Sequence, residues 1–97
     1  VTKAGASFAS RVGASLLAAA GLPDLITQSV NDYEALAVEL ATQPQRLAAL
    51  NQRLADNRLT CPVFDTARYT RYIESAYLQM WQLYQAGLPP DHIHVTA

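Results

Sequence analysis

Apolar residues recur along this chain at intervals of three and four, and almost nowhere in strict alternation. Phe8, Val12, Leu16 and the Ala19/Ala20 pair predict a helix over Phe8–Ala20. Val30, Tyr33, Leu36, Ala37 and Leu40 predict a second, from Val30 to about Thr42, with those five residues buried. Leu47, Leu50 and Leu54 predict a third, from Pro44 to about Asn57. The longest, Thr66–Ala86, carries Tyr69, Ile73, Ala76/Tyr77, Met80 and Tyr84, a stripe widened by Leu78 and Trp81.

The residues between these stripes punctuate them. Ser7 (or Thr2) can accept a hydrogen bond from the free N–H groups that open the first helix. Gly21 suits a left-handed C-terminal cap, and Pro23 blocks continuation. Ser29 with Asp32 has capping-box spacing, Pro44 tolerates a first helical turn, and Asp65 caps the last helix before Gly87 stops it. Val1-Thr2 reads as the end of a strand, Leu22–Ile26 as a connector with a strand-like piece, and Arg58–Phe64, holding Pro62, as an extended linker. The fold class is therefore mainly α, with four helices and little strand.

The first helix is unusual. Between its apolar positions stand Ala9, Ser10, Gly13, Ala14, Ser15 and Ala18, and Arg11 is its only charge. Small residues permit close approach to a sheet or a central position, so burial on most sides is expected.

Composition narrows the function classes. Half of the 97 residues are apolar and 15% are charged, which excludes a disordered segment. Seven basic against eight acidic residues, with the basic ones dispersed, argue against nucleic acid as a partner. No run approaches the ~18 apolar residues of a membrane span, so neither a membrane nor a signal peptide is expected. Cys61 alone can form no internal disulfide and no thiolate zinc site; a cytoplasmic, reducing setting follows as the default. His92 and His94 have no thiol or acidic cluster around them, so no metal site is expected. Cys61 lacks a local activating base, and Asp32, Glu34, Glu39, Asp56 and Asp65 read as helix-face and cap carboxylates. No catalytic residue emerges. The one phosphate-compatible feature is the turn of Gly5 and Ser7, which opens a helix whose free N–H groups can face an anion.

Several stretches together resemble the C-terminal end of the O-linked N-acetylglucosamine transferase family, including its SPINDLY-like relatives. They are Val1-Thr2-Lys3-Ala4-Gly5-Ala6-Ser7-Phe8-Ala9-Ser10-Arg11-Val12, then Asp32-Tyr33-Glu34, and Cys61-Pro62-Val63-Phe64-Asp65-Thr66. Tyr77-Leu78-Gln79-Met80-Trp81, Tyr84-Gln85-Ala86-Gly87 and Pro90-Asp91-His92 complete the likeness, which covers nearly the whole chain. It departs at Ala4 and Ala6, where the family usually has Pro and a charged residue.

The resemblance implies a two-lobed GT-B glycosyltransferase with Rossmann-like α/β lobes, preceded by tetratricopeptide repeats that bind protein substrates. Such enzymes transfer a sugar, usually N-acetylglucosamine from UDP, to Ser/Thr hydroxyls with inversion and without a bound metal. The family's G-H-T-T…D nucleotide motif and its catalytic histidine and lysine lie upstream of the position matching Val1. The chain is thus expected to be a C-terminal fragment, inactive alone and binding no cofactor of its own. Residues 1–64 would belong to the nucleotide-binding lobe, and 65–97 would form a long helix and tail packing back across the lobes. Its expected partners are the missing N-terminal lobe and upstream sheet, which would supply what the first helix packs on. Trp81 and Tyr77 would be interdomain anchors, and the chain by itself would be marginally stable or self-associate. The competing expectation is a free-standing helical interaction module, dimeric through the Tyr77/Trp81 face.

Overall fold

A computed structural model describes residues Val1–Thr96. The order is β1 (Thr2–Lys3), α1 (Phe8–Ala19), a 3₁₀ turn (Pro23–Leu25), β2 (Ile26–Thr27), α2 (Val30–Thr42), α3 (Pro44–Asn57), a second 3₁₀ turn (Pro62–Phe64) and α4 (Thr66–Gln85). The chain divides into two compact units, Val1–Phe64 and Asp65–Ala97.

In the first unit, β1 and β2 pair in parallel, Thr2 opposite Ile26 and Lys3 opposite Thr27. A parallel pair needs a crossover, and α1 supplies it, so Thr2–Thr27 is a βαβ unit. Beyond the ladder, the Ala4 N–H donates to Thr27 O (2.8 Å) and Thr27 Oγ1 donates to Thr2 O (2.9 Å). Gly13 lets α1 lie directly on β1, because a Cβ there would stand 2.9 Å from Thr2 Oγ1. Helix α2 packs on both strands and on α3; α1 packs on β1 and on both 3₁₀ turns.

The helix starts follow the cap residues. Ser7 Oγ accepts from the Ser10 N–H, and Ser29 Oγ accepts from the Asp32 N–H at 3.1 Å while donating to Asp32 Oδ2 at 2.6 Å. The Ser29–Asp32 box therefore closes through the hydroxyl proton. At the end of α1, Gly21 takes φ +76°, a left-handed conformation open to glycine at little cost. Asn57 Nδ2 donates to Ala20 O (3.1 Å), tying the end of α3 to the end of α1.

Three expectations are corrected. The Arg58–Phe64 segment is a turn followed by 3₁₀ structure, held by the Cys61 N–H to Asn57 O and the Phe64 N–H to Cys61 O. Pro62 opens that turn, a position where its missing N–H is no loss. Helix α1 has no buried residue: Phe8 is 85% and Leu16 52% exposed. In α2, Val30, Tyr33 and Ala37 are exposed, while Leu36 and Leu40 are half-buried. The best-buried residues are Ala20, Leu22, Thr27 and Cys61, and none of the described side chains is fully enclosed. The chain exposes 7409 Å².

In the second unit, Asp65 Oδ1 accepts from the Arg68 N–H (2.8 Å) and starts α4. Arg68 Nε donates to the Tyr72 hydroxyl (2.7 Å), and Trp81 stacks on Tyr84 with ring centres 5.8 Å apart. Beyond α4 the tail returns along the helix, so that Ile93 and Leu88 share a groove with Met80, Leu83 and Tyr84. Among the described residues no helix is long and apolar enough to cross a membrane.

Candidate functional site

The parallel strands end at Lys3 and Thr27, and each leads through a short turn into a serine-capped helix. Open α/β sheets bind ligands beyond the carboxyl ends of their strands. The Ala4–Ser7 turn stands at that edge. Both residues singled out from the sequence, Gly5 and Ser7, are brought there and are exposed.

Their geometry is specific. A Cβ on Gly5 would lie 2.7 Å from Ser10 Oγ, so the turn closes against the first turn of α1. Ser10 Oγ donates to Ser7 O (2.9 Å), which leaves the Ser7 hydroxyl to donate to Ser10 Oγ (2.9 Å) while accepting from the Ser10 N–H (3.3 Å). The Ser7 proton is thus spent within the cap. The N–H groups of Phe8 and Ala9, at this helix start, find no partner among the described residues. Such groups, with the helix dipole behind them, favour an anion. Ala4, where the family usually has proline, spends an N–H that proline lacks on Thr27 O.

Arg11, one turn on, lines grooves on both sides of α1: with Ala4, Gly5, Ala14, Ser15, Ala18 and Ile26, and with Ala6, Phe8, Val12, Ser15 and Leu16. The described ion pairs are Arg46–Glu39 and Arg53–Asp24, so Arg11 has no acidic partner among the described residues. Sequence reasoning noted Arg11 only as the sole charge on a small-residue helix; that isolation was the available signal.

Elsewhere the chemistry is sparse. No group of three or more His, Cys, Asp or Glu that could hold a metal occurs among the described residues. Cys61 is a buried free thiol. One carboxyl is clearly perturbed: the Arg53 side chain bonded to Asp24 at 2.5 Å, helped by a backbone N–H, holds it below the usual carboxylate value.

The sequence profile of glycosyl transferase family 41 matches residues 1–73. A probable UDP-N-acetylglucosamine–peptide N-acetylglucosaminyltransferase SEC of Arabidopsis thaliana is 43% identical over 91% of this chain and 9% of its own length. A UDP-N-acetylglucosamine–peptide N-acetylglucosaminyltransferase of Caenorhabditis elegans is 37% identical over 90% of this chain and 8% of its own length. A probable SPINDLY transferase of rice (Oryza sativa subsp. japonica) is 41% identical over 93% and 10%, respectively. The first unit holds a short parallel βαβ unit within a mainly helical chain, and the match places the chain: it belongs to glycosyl transferase family 41. It spans about a tenth of the length of the curated relatives it matches.

Proposed function

We propose that this chain is the C-terminal segment of a UDP-sugar-dependent protein O-glycosyltransferase, structural within the donor-binding lobe and inactive alone. The observation that carries the reading is 43% identity across 91% of the chain to a relative named as a peptide N-acetylglucosaminyltransferase, of which the match is only 9%. A parallel βαβ unit supports a Rossmann-like lobe of GT-B type. Two strands of two residues each fall short of the three or more strands of an independent sheet, which supports a core completed by further polypeptide.

In the intact enzyme a Ser/Thr hydroxyl attacks the anomeric carbon of UDP-N-acetylglucosamine, the bond to UDP breaks, and UDP leaves with the electron pair. The configuration inverts, and the hydroxyl proton passes to a group outside this chain. No metal is required in this reading. The chain's contribution is to build the strand edge and to offer the Gly5–Ser7 turn, through the Phe8 and Ala9 N–H groups, toward the donor phosphates. Tetratricopeptide repeats upstream would present protein substrates in the cytoplasm. Helix α4 would carry Tyr77 and Trp81 back against the other lobe. The exposure of that aromatic face favours a second reading, a free-standing module that dimerises through α4.

The test is the mass of the native polypeptide, blotted with an antibody to this chain, with transfer from UDP-N-acetylglucosamine to a Ser/Thr peptide. A band several times 10.6 kDa with transfer activity, and no transfer by the 97-residue chain, is expected. A band at 10.6 kDa would overturn the reading in favour of the module.

A further inference from the structure

Among the described residues Thr27 is the one polar side chain that is buried, at 7% exposure. It ends β2 opposite Lys3 of β1, at the carboxyl edge of the parallel pair. A β-branched body suits a strand, but a buried hydroxyl there needs a partner. That partner is Thr2 O (2.9 Å), twenty-five residues back, while Thr27 O accepts the Ala4 N–H (2.8 Å). One residue thus grips β1 on both sides of Lys3. We propose that Thr27 is a positioning residue of the donor site: its hydroxyl fixes the end of β1, and with it the Ala4–Ser7 turn, at the edge that faces the donor.

The proposal rests on the reading that the first unit belongs to a donor-binding lobe. Three observations give Thr27 its role there. Each strand is two residues long, so the ladder alone does little to hold the strand ends. Both Thr27 bonds are added where the ladder stops, on the side where open α/β sheets take their ligands. The turn that follows is built outward from that grip. Ala4 is bonded to Thr27, Gly5 closes against Ser10, and Ser7 caps α1. On the other strand Ser29, two residues past Thr27, caps α2, so both helix starts at this edge hang on one residue. Finally, the Thr27 proton is spent on Thr2 O, so its hydroxyl acts through the turn and does no chemistry of its own. Valine has nearly the same shape and lacks that proton. In its place the strand can persist while the turn loosens.

The test measures transfer by the intact polypeptide from UDP-N-acetylglucosamine to a Ser/Thr peptide. Thr27→Val is expected to raise the donor KM about fivefold, the factor that a hydrogen bond of ordinary net strength supplies. Both kcat and the peptide KM should stay within about twofold, because the chemistry lies elsewhere. Hydrogen exchange at the Ala4 amide should quicken about tenfold. Thr27→Ser, which keeps the hydroxyl, should restore donor KM and exchange together. An unchanged donor KM in Thr27→Val, or a Thr27→Ser variant no better than it, would overturn the proposal. So would a fall in kcat at constant donor KM, the mark of a merely structural role that lowers the folded fraction. Thr27→Ala decides the matter where the valine variant does not fold: the same rise in donor KM is expected, and a wild-type value would overturn it. A polypeptide that neither binds UDP nor transfers from the sugar nucleotide would sink the donor-lobe reading together with this one. A transfer-active polypeptide whose donor KM ignores the Thr27 hydroxyl would sink this one alone.

Discussion

Helices α1 and α4 both leave large apolar side chains in solvent, but they are held in different ways. Helix α1 is fixed by distant chain: Gly13 lies on Thr2 of β1, and Ala20 O, just past its end, accepts from Asn57 thirty-seven residues on. The side-chain hydrogen bonds described for α4 run instead between residues three or four apart, from Asp65 to Arg68, Arg68 to Tyr72, Thr70 to Thr66 and Gln79 to Ser75. Helix α1 is thus half-built into a sheet, whereas α4 is a locally specified rod. An exposed face means different things on the two: on α1 it is the second side of a helix already docked, on α4 the principal stripe of a helix.

Trp81 probes the α4 side most strongly. It is 58% exposed here. If α4 is covered in a longer parent polypeptide, as proposed, Trp81→Ala costs about 3–5 kcal/mol in a urea melt of that polypeptide. A loss under about 1 kcal/mol would show that the ring stays in solvent and would break the parallel with α1.

On the α1 side, Gly13→Val forces bulk into a contact of 2.9 Å with Thr2 Oγ1 and is expected to cost about 1–3 kcal/mol. Gly13→Ala should cost less, because alanine regains about 1 kcal/mol of helix propensity. Equal effects in hydrogen-exchange protection of the Val1–Phe64 amides would mean that α1 does not bear on β1.

Ser7→Ala and Asp65→Ala compare the two helix starts directly, each expected to lose about 1 kcal/mol. Ser7→Ala should also weaken protection of the Ser10 N–H, and unchanged exchange there would remove the cap assignment.

The smallest effect concerns acid. Arg53 holds Asp24 ionised below its usual value, so the pair's stabilisation is complete above the unfolded carboxyl value of about 3.9 and fades as pH falls below it. Arg53→Gln should remove that part of the acid sensitivity. Both side chains are more than a third exposed, so added salt should shrink the effect as well.

The helices were legible because their signals are local. Ser29, Pro44 and Asp65 act within one turn, and α2 and α3 begin and end where the stripe and the cap place them. Arg58–Phe64 was misread because Pro62 is compatible with both extended and 3₁₀ backbone, and the deciding bond, Cys61 N–H to Asn57 O, reaches back into α3. Strand β2 offered only Ile26 and Thr27, too few to show alternation, and it exists because β1 pairs with it across twenty-four residues of chain. The burial of α1 was overestimated because small residues report how closely something can approach, not what is there to approach. At the candidate site, the sequence showed the Gly5–Ser7 turn and the Ser7 cap. It did not show that Ser10 would consume the Ser7 proton, or that Arg11 would stand between two grooves, since both depend on side-chain direction around the helix.

The Ala4 N–H to Thr27 O bond carries a kinetic consequence. It closes a long loop, and loop closure is less costly once α1 has shortened the path between its ends. Helix formation is therefore expected to precede strand pairing along the folding route, with the Ala4 amide as the clock for that second event. In pulse-labelling experiments it should gain protection after the α1 amides and lose it before them. A single backbone proton would then time when a helix becomes part of a sheet.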